Sequence, residues 1–261
     1  MWLLLVIILV VLGVAAVYPN IGMGGGFLHV PALIYLAGLE KSSAVPISLT
    51  LVLAGALAAL PGHYKLGYVD PRLAAYLSVG AVLGAVCGTL INLSMSQWLF
   101  EWLFAITILI VSIKMLYDLL NSKGPEVADD RRMCTPWISA SVGLAVLAGI
   151  LSSTFGIGGG LVFVPTMIYL LCRETKLAAG TSSLIIVPTS IVGLTTYYLT
   201  GADQFDPNLS IYVLILVPVA LIGAYTGSVF FAEKLTGVHV KAIFITVSLI
   251  VAISMIAMNL M

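Results

Sequence analysis

The stretch Gly22-Met-Gly-Gly-Gly-Phe-Leu-His-Val-Pro-Ala-Leu-Ile-Tyr-Leu36 returns as Gly156-Ile-Gly-Gly-Gly-Leu-Val-Phe-Val-Pro-Thr-Met-Ile-Tyr-Leu170. The pattern GxGGGxxxVPxxIYL therefore occurs twice, at an offset of 134. The same offset pairs Glu40 with Glu174, Ala44 with Ala178, Ser48 with Ser182, Tyr64 with Tyr198 and Gly67 with Gly201. Further along, after small insertions, Gly84, Ala85 and Gly88 match Gly223, Ala224 and Gly227, and Phe104 matches Phe244. Agreement this long is the mark of an internal duplication.

Both copies lie in an apolar setting. Of 261 residues 61% are hydrophobic and only 8% are charged, against about 25% charged in ordinary soluble domains. Trp2–Val17, Ala44–Leu60, Leu73–Leu93 and Leu209–Phe230 carry no charge, and about 20 such residues span a bilayer as helix. The runs are continuous and lack the ~10-residue alternation of a lipid-facing barrel, so an all-α integral membrane protein is expected. The formal net charge is zero, which excludes the basic surface that nucleic-acid binding needs. The first apolar run has no basic leader and no small-residue cleavage pattern, so it is expected to be retained. Cys87, Cys134 and Cys172 are far apart and form no ligand cluster, so neither a metal site nor a disulfide framework is expected.

Residues 1–120 and 137–261 read as two transmembrane repeats, joined by a polar linker at 121–136. Each repeat begins with a helical element broken by the glycine motif, either a re-entrant hairpin or two spans. Three long helices follow, near 43–64, 71–94 and 98–120, then near 177–199, 209–231 and 238–260. Cytoplasmic loops concentrate Lys and Arg. With the linker placed in the cytoplasm, Lys65, Arg72, Lys114, Lys123, Arg131, Arg132, Arg173, Lys176, Lys234 and Lys241 fall inside, and only Lys41 falls outside. Both termini then face out. The basic His63–Arg72 loop lies inside, while its counterpart Tyr198–Pro207, with Asp203 and Asp206, lies outside. The repeats are thus expected to be inverted.

A GxGGG run in lipid is costly, because each helical glycine loses about 1 kcal/mol and a break frees backbone groups that hydrocarbon cannot satisfy. The break follows an apolar segment and precedes a short apolar helix. That second helix presents free N–H groups at the positive end of its dipole, which favours an anion. Gly22, Gly24, Gly25 and Gly26, with Gly156, Gly158, Gly159 and Gly160, are therefore candidate substrate contacts. Inverted repeats would bring the two sites together near the midplane, as in secondary transporters. Gly80, Gly84 and Gly88, with Gly223 and Gly227, read instead as close-packing positions.

Asn20 and Thr154, equivalent positions before the breaks, are further candidate donors to a small anionic substrate. So are Ser48 and Thr50 in the first repeat and Thr181, Ser182 and Ser183 in the second. His29, beside the first motif, is a possible coupling residue, although its counterpart is Phe163. No carboxylate lies deep in a confident span, and no nucleophile pairs with a base or metal. An enzyme is not expected, nor is any cofactor or metal. Trp98, Trp102, Trp137, Tyr68, Tyr197 and Tyr198 lie near span ends and read as interfacial anchors.

The paired GxGGGxxxVP motifs, the following Ala-x-x-x-Ser stretch, and the HYKLG and YYLTG loop entries resemble the sulfite exporter TauE/SafE family along essentially the whole chain. Val45-Pro46-Ile47-Ser48 departs from the Gly-Thr-Ser form seen at Gly180-Thr181-Ser182. The resemblance implies a multi-pass protein of the prokaryotic inner membrane that carries a sulfur-containing anion such as sulfite, thiosulfate, sulfoacetate or another organosulfonate. The residues by themselves point to a small anion carried by alternating access between the glycine breaks. A passive channel for small oxyanions is the alternative.

Overall fold

The computed structural model describes residues 2–121, 138–201, 209–230, 245–246 and 248–256. These residues are helical apart from short connections, and no strand occurs among them. Helix α1 (Trp2–Val17) ends in a 3-10 turn at Pro19–Ile21. After the glycine break, α2 (Gly26–Pro31) runs on into a π-helical turn at Ala32–Leu36. The wide turn begins directly after Pro31, which has no N–H to donate to the helical ladder. Then come α3 (Lys41–Lys65), α4 (Pro71–Ser94) and α5 (Gln97–Asn121).

The second repeat follows the same order. Helix α6 (Ile138–Phe155) leads to its glycine break, then α7 (Gly160–Tyr169), α8 (Thr175–Gly201) and α9 (Leu209–Phe230). Residues 248–256 form a further helical stretch, α10. Most of the 121–136 linker, the tip of the Tyr198–Pro207 loop, Trp137, Cys134, Phe244 and the first part of the helix expected near 238–260 lie outside the described residues.

Sequence explains several ends. Asp70 caps α4, its carboxylate accepting from the Leu73 N–H at 3.0 Å, and Pro71 opens that helix. An N-cap acceptor satisfies one of the orphan amides of the first turn. Gly67, with φ of 73°, supplies the left-handed residue that turns the chain out of α3. Four helices, Lys41–Lys65, Pro71–Ser94, Thr175–Thr200 and Ser210–Ser228, are long and apolar enough to cross a bilayer. At about 1.5 Å per residue the 16 residues of α1 reach roughly 24 Å, so α1 and α2 are each shorter than those spans.

The packing repeats with the two halves exchanged. Helix α4 lies on α6 and α8, and the equivalent α9 lies on α1 and α3. The close approach is made by the small residues. A Cβ on Gly84 would overlap the carbonyl oxygen of Val146, and one on Gly88 would overlap that of Ile150. In the other half, a Cβ on Gly223 would crowd the carbonyl of Leu12 and one on Gly227 would overlap that of Ala16. Val146 and Ile150 stand 134 residues after Leu12 and Ala16, so the same contact is built twice. With no hydrophobic drive between helices in lipid, dispersion contacts of this kind hold such pairs together.

Helices α3 and α8 form the centre, with 72% and 61% of their most apolar windows buried, whereas α4 and α9 are only 44% and 28% buried. The outer faces of the latter pair carry Tyr76, Val79, Leu83, Leu214, Ile222 and Tyr225, all exposed. An apolar exterior of this kind suits lipid as its solvent. Two sequence expectations need correction. Tyr197 is no interfacial anchor: it is fully buried and its hydroxyl donates to the Ser153 carbonyl at 2.9 Å. Cys172 takes part in a disulfide, although spacing gave no reason to expect one.

Candidate anion site at the paired glycine breaks

The two GxGGG segments touch. Gly24 and Gly158 lie against each other, a Cβ on either standing 3.6 Å from the Cα of the other. A Cβ on Gly26 would overlap the Gly156 carbonyl oxygen, and one on Gly160 would overlap that of Gly22. Each short helix therefore starts on the break of the opposite half. All of these glycines are buried.

Each glycine of the motif is needed for one of two reasons. Gly22, Gly24 and Gly25 have φ of 75°, 72° and 82°, and Gly156, Gly158 and Gly159 have φ of 69°, 90° and 71°. An L side chain in that region costs roughly 1–2 kcal/mol. The fourth glycine of each run, Gly26 or Gly160, has ordinary helical φ and is required by the backbone pressed against it. The repeated pattern in sequence is thus repeated residue by residue in conformation.

The breaks leave amides without partners. Among the described residues, nothing accepts from the N–H of Gly24, Gly26, Gly158 or Gly160, while the next turns close normally, with Leu28 and His29 donating to the Gly25 carbonyl and Val162 and Phe163 to that of Gly159. A buried orphan amide costs about 1–3 kcal/mol. Four of them stand at two helix starts in mutual contact. The positive ends of both helix dipoles lie beside them.

The hydroxyls behave differently from the sequence expectation of open donors. Ser48 donates to the Gly156 carbonyl at 2.7 Å, and its counterpart Ser182 donates to the Gly22 carbonyl at 2.7 Å. Each crosses to the opposite break. Thr50 bonds back to Pro46 in its own helix. Ser183 donates to the carbonyls of Pro19 and Ala179. Thr154 donates to the Gly88 carbonyl, and the Thr181 hydroxyl accepts from the Asp70 N–H. Asn20 belongs to the 3-10 turn that leads into Gly22. The serines nearest the breaks therefore hold the breaks together, and Thr154 and Thr181 tie neighbouring elements.

His29 is buried beside the first break, and a Cβ on Gly25 would stand 3.6 Å from its Cε1 atom. Neither of its ring nitrogens has a hydrogen-bond partner. Two residues at the centre escaped sequence reading. Val52 projects onto the junction, where a Cβ on Gly24 or Gly158 would meet its Cγ1 within 3 Å. One valine in an apolar helix gives no signal. Asn92 did carry one, as an amide inside an uncharged run: fully buried, it donates to the Thr154 carbonyl at 2.7 Å. Its backbone carbonyl accepts from the ammonium of Lys41, which is the buried first residue of α3 rather than part of an exposed loop.

Comparison with known proteins agrees with this architecture. The chain is 28% identical over 245 residues to the probable membrane transporter protein YunE of Bacillus subtilis (strain 168), covering 85% of this chain and 87% of the relative. It is 24% identical over 230 residues to the probable membrane transporter protein MJ0441 of Methanocaldococcus jannaschii, covering 85% and 82%. A probable membrane transporter protein of Haemophilus influenzae (strain Rd) is 26% identical over 223 residues, with coverage of 82% and 80%. No solved structure matches the chain. The model of the family described as sulfite exporter TauE/SafE matches residues 7–255, and the chain belongs to that family.

Proposed function

We propose that this membrane transporter moves a small sulfur-containing anion, such as sulfite, thiosulfate, sulfoacetate or another organosulfonate, across the inner membrane by alternating access. The family makes the chain a membrane transporter, and the sulfite exporters for which the family is named supply the sulfur chemistry. The observation that carries the anion is the set of four unpartnered, buried amides at two touching helix starts. Hydrocarbon offers such groups nothing, whereas a multi-oxygen anion accepts from several at once.

In this reading the glycine contact is the closed form, and the substrate occupies the space opened when the two halves part. As Gly22 and Gly156 separate from Ser182 and Ser48, each hydroxyl loses a carbonyl acceptor and gains a substrate oxygen. His29, beside the first break, is placed to sense occupancy. Residues 1–120 and 137–261 act as inverted repeats, and the contact exchange between α4–α6 and α9–α1 supports a two-fold relation between them.

Sidedness follows the basic residues. Asp70 pairs with Arg173 at 3.6 Å and Tyr68 lies under Lys176, so the His63–Arg72 loop and the start of α8 share one end of the bundle. The excess of Lys and Arg there assigns that end to the cytoplasm.

The test is a flux measurement on purified protein in liposomes with labelled sulfite, thiosulfate and sulfoacetate, taurine, sulfate and chloride serving as competitors. Gly25→Val and Gly159→Val should abolish flux while the protein stays in the membrane. Normal transport by both variants would refute the site. Flux that follows only the electrochemical gradient, at channel-like turnover, would replace the carrier with a channel.

A further inference from the structure

We propose that a pocket at the basic end of the bundle, lined by His63, Tyr68 and Lys176, is a docking subsite at which a small oxyanion enters on its way to the glycine breaks. This rests on the anion-transport reading above. The pocket encloses about 40 Å³ and is closed by Ala59, Gly62 and Ser228. At about 10–15 Å³ for one water, that is room for a few waters or one small ion.

Its chemistry favours a negative guest. His63 is 7% exposed, and its Nε2 atom is buried without a hydrogen-bond partner. Lys176 stands at the rim, its Nζ 3.4 Å from the Tyr68 hydroxyl and 5.3 Å from the centre of that ring. The Lys176 ammonium can donate to a guest at the rim, and the unpartnered Nε2 of His63 lies in the wall beside it. The connection and helix start at this end of the bundle also carry Lys65, Arg72 and Arg173, with Asp70 and Glu174. An excess of positive charge around an entry raises the local concentration of anions.

The pocket is also close to the first break. A Cβ on Gly180 would stand 3.1 Å from the Cβ of His63 and would overlap the Tyr68 carbonyl. The adjacent Ala179 packs on Gly22, where a Cβ would meet its Cα at 2.7 Å. A single stretch of α8, Ala179–Gly180, thus forms the wall between pocket and motif. Ser182, on the next turn, holds the Gly22 carbonyl. Movement of α8 against α3 would open this wall.

The equivalent place in the second repeat is filled. Tyr197 stands where His63 stands, fully buried and bonded to Ser153. Thr89, equivalent to Ser228, donates to the carbonyl of Gly193, the counterpart of Ala59. Among the described residues, the repeat position that carries an imidazole beside the pocket in one half carries a buried, hydrogen-bonded phenol in the other.

The experiment is thiosulfate binding by calorimetry, paired with liposome flux, on the full chain. His63→Phe fills a buried space and tests packing as well as docking, so Lys176→Gln on the exposed rim carries the decision. Lys176→Gln should weaken thiosulfate binding by about tenfold, the loss of one charged hydrogen bond. Lys176→Arg should bind within about threefold of the natural protein. If the natural protein binds thiosulfate and Lys176→Gln binds it equally well, the subsite is refuted and the glycine site stands. If the natural protein neither binds nor moves thiosulfate, sulfite or sulfoacetate, the transport reading falls and the subsite with it.

Discussion

Replacing Gly26 with alanine isolates the contact between the two breaks. The residue has ordinary helical φ, so any penalty comes from crowding and not from backbone strain. The added Cβ would overlap the Gly156 carbonyl oxygen and lie 2.8 Å from both the Gly156 carbonyl carbon and the Ile157 Cα. All three are backbone atoms. They cannot rotate away, so one half must retreat by more than an ångström. Overpacking of this sort costs about 1–3 kcal/mol. The same movement stretches the 2.7 Å bond from Ser48 to Gly156, for about 1 kcal/mol more. Gly143 in α6 is the matched control, since a Cβ there meets nothing within 4 Å. Alanine at that helical position should stabilise by about 0.5–1 kcal/mol. The gap between the two variants is then about 3–4 kcal/mol, or roughly 10 °C in Tm at about 2–4 °C per kcal/mol. Thermal unfolding of purified protein in detergent, followed by fluorescence, measures it, and liposome flux shows whether Gly26→Ala also slows transport. Melting points of Gly26→Ala and Gly143→Ala within about 2 °C of each other would refute the packed-break geometry. Gly160→Ala should repeat the Gly26→Ala result, because it meets the Gly22 carbonyl in the same way.

Ser48→Ala and Ser182→Ala each remove one buried bond of 2.7 Å and should lower stability by similar amounts, about 0.6–1.7 kcal/mol; a large effect of only one, read from paired melting curves, would contradict the exchange of halves. Asn92→Ala deprives the Thr154 carbonyl of its amide donor and should cost about 1–3 kcal/mol; a melting point unchanged from the natural protein would show that bond to be idle. In a background without the natural cysteines, single cysteines at Lys65 and Arg72 should react with a membrane-impermeant maleimide only from the cytoplasmic face. Reaction from the outer face of intact cells would reverse the assigned orientation.

Much of the architecture was legible because it depends on composition and local pattern. Uncharged runs of bilayer length mark α3, α4, α8 and α9 whatever their neighbours, and the observed ends fall within a few residues of the sequence reading. The glycine motif announces its own break, since glycine is the residue that accepts positive φ readily. The duplication is a property of sequence alone, visible as one offset shared by two motifs and a series of single residues. The spacing of Gly80, Gly84 and Gly88 similarly identifies a packing face before its partner is known.

Hydroxyl roles were not legible. Ser48, Thr50, Thr181, Ser182, Ser183 and Thr154 are alike as sequence, yet Ser48 and Ser182 bond to the opposite glycine break, Thr50 bonds back within its helix, and Thr181, Ser183 and Thr154 bond to other elements of the opposite half. A hydroxyl takes whichever partner the fold brings within about 3 Å: all but Thr50 bond across the two halves, and the acceptor lies 108 residues away for Ser48 and 160 for Ser182. Burial of Tyr197 and Lys41 was hidden for the same reason, because a residue at a span end is exposed or enclosed according to what packs beside it. The sequence alone determined a duplicated, helical membrane protein with two glycine breaks, because lipid and backbone sterics act on each segment separately. Only the tertiary structure decided that the breaks meet face to face, that serines lock them from opposite halves, and that one repeat keeps a pocket where the other has a phenol. Those outcomes depend on distances between segments far apart in the chain.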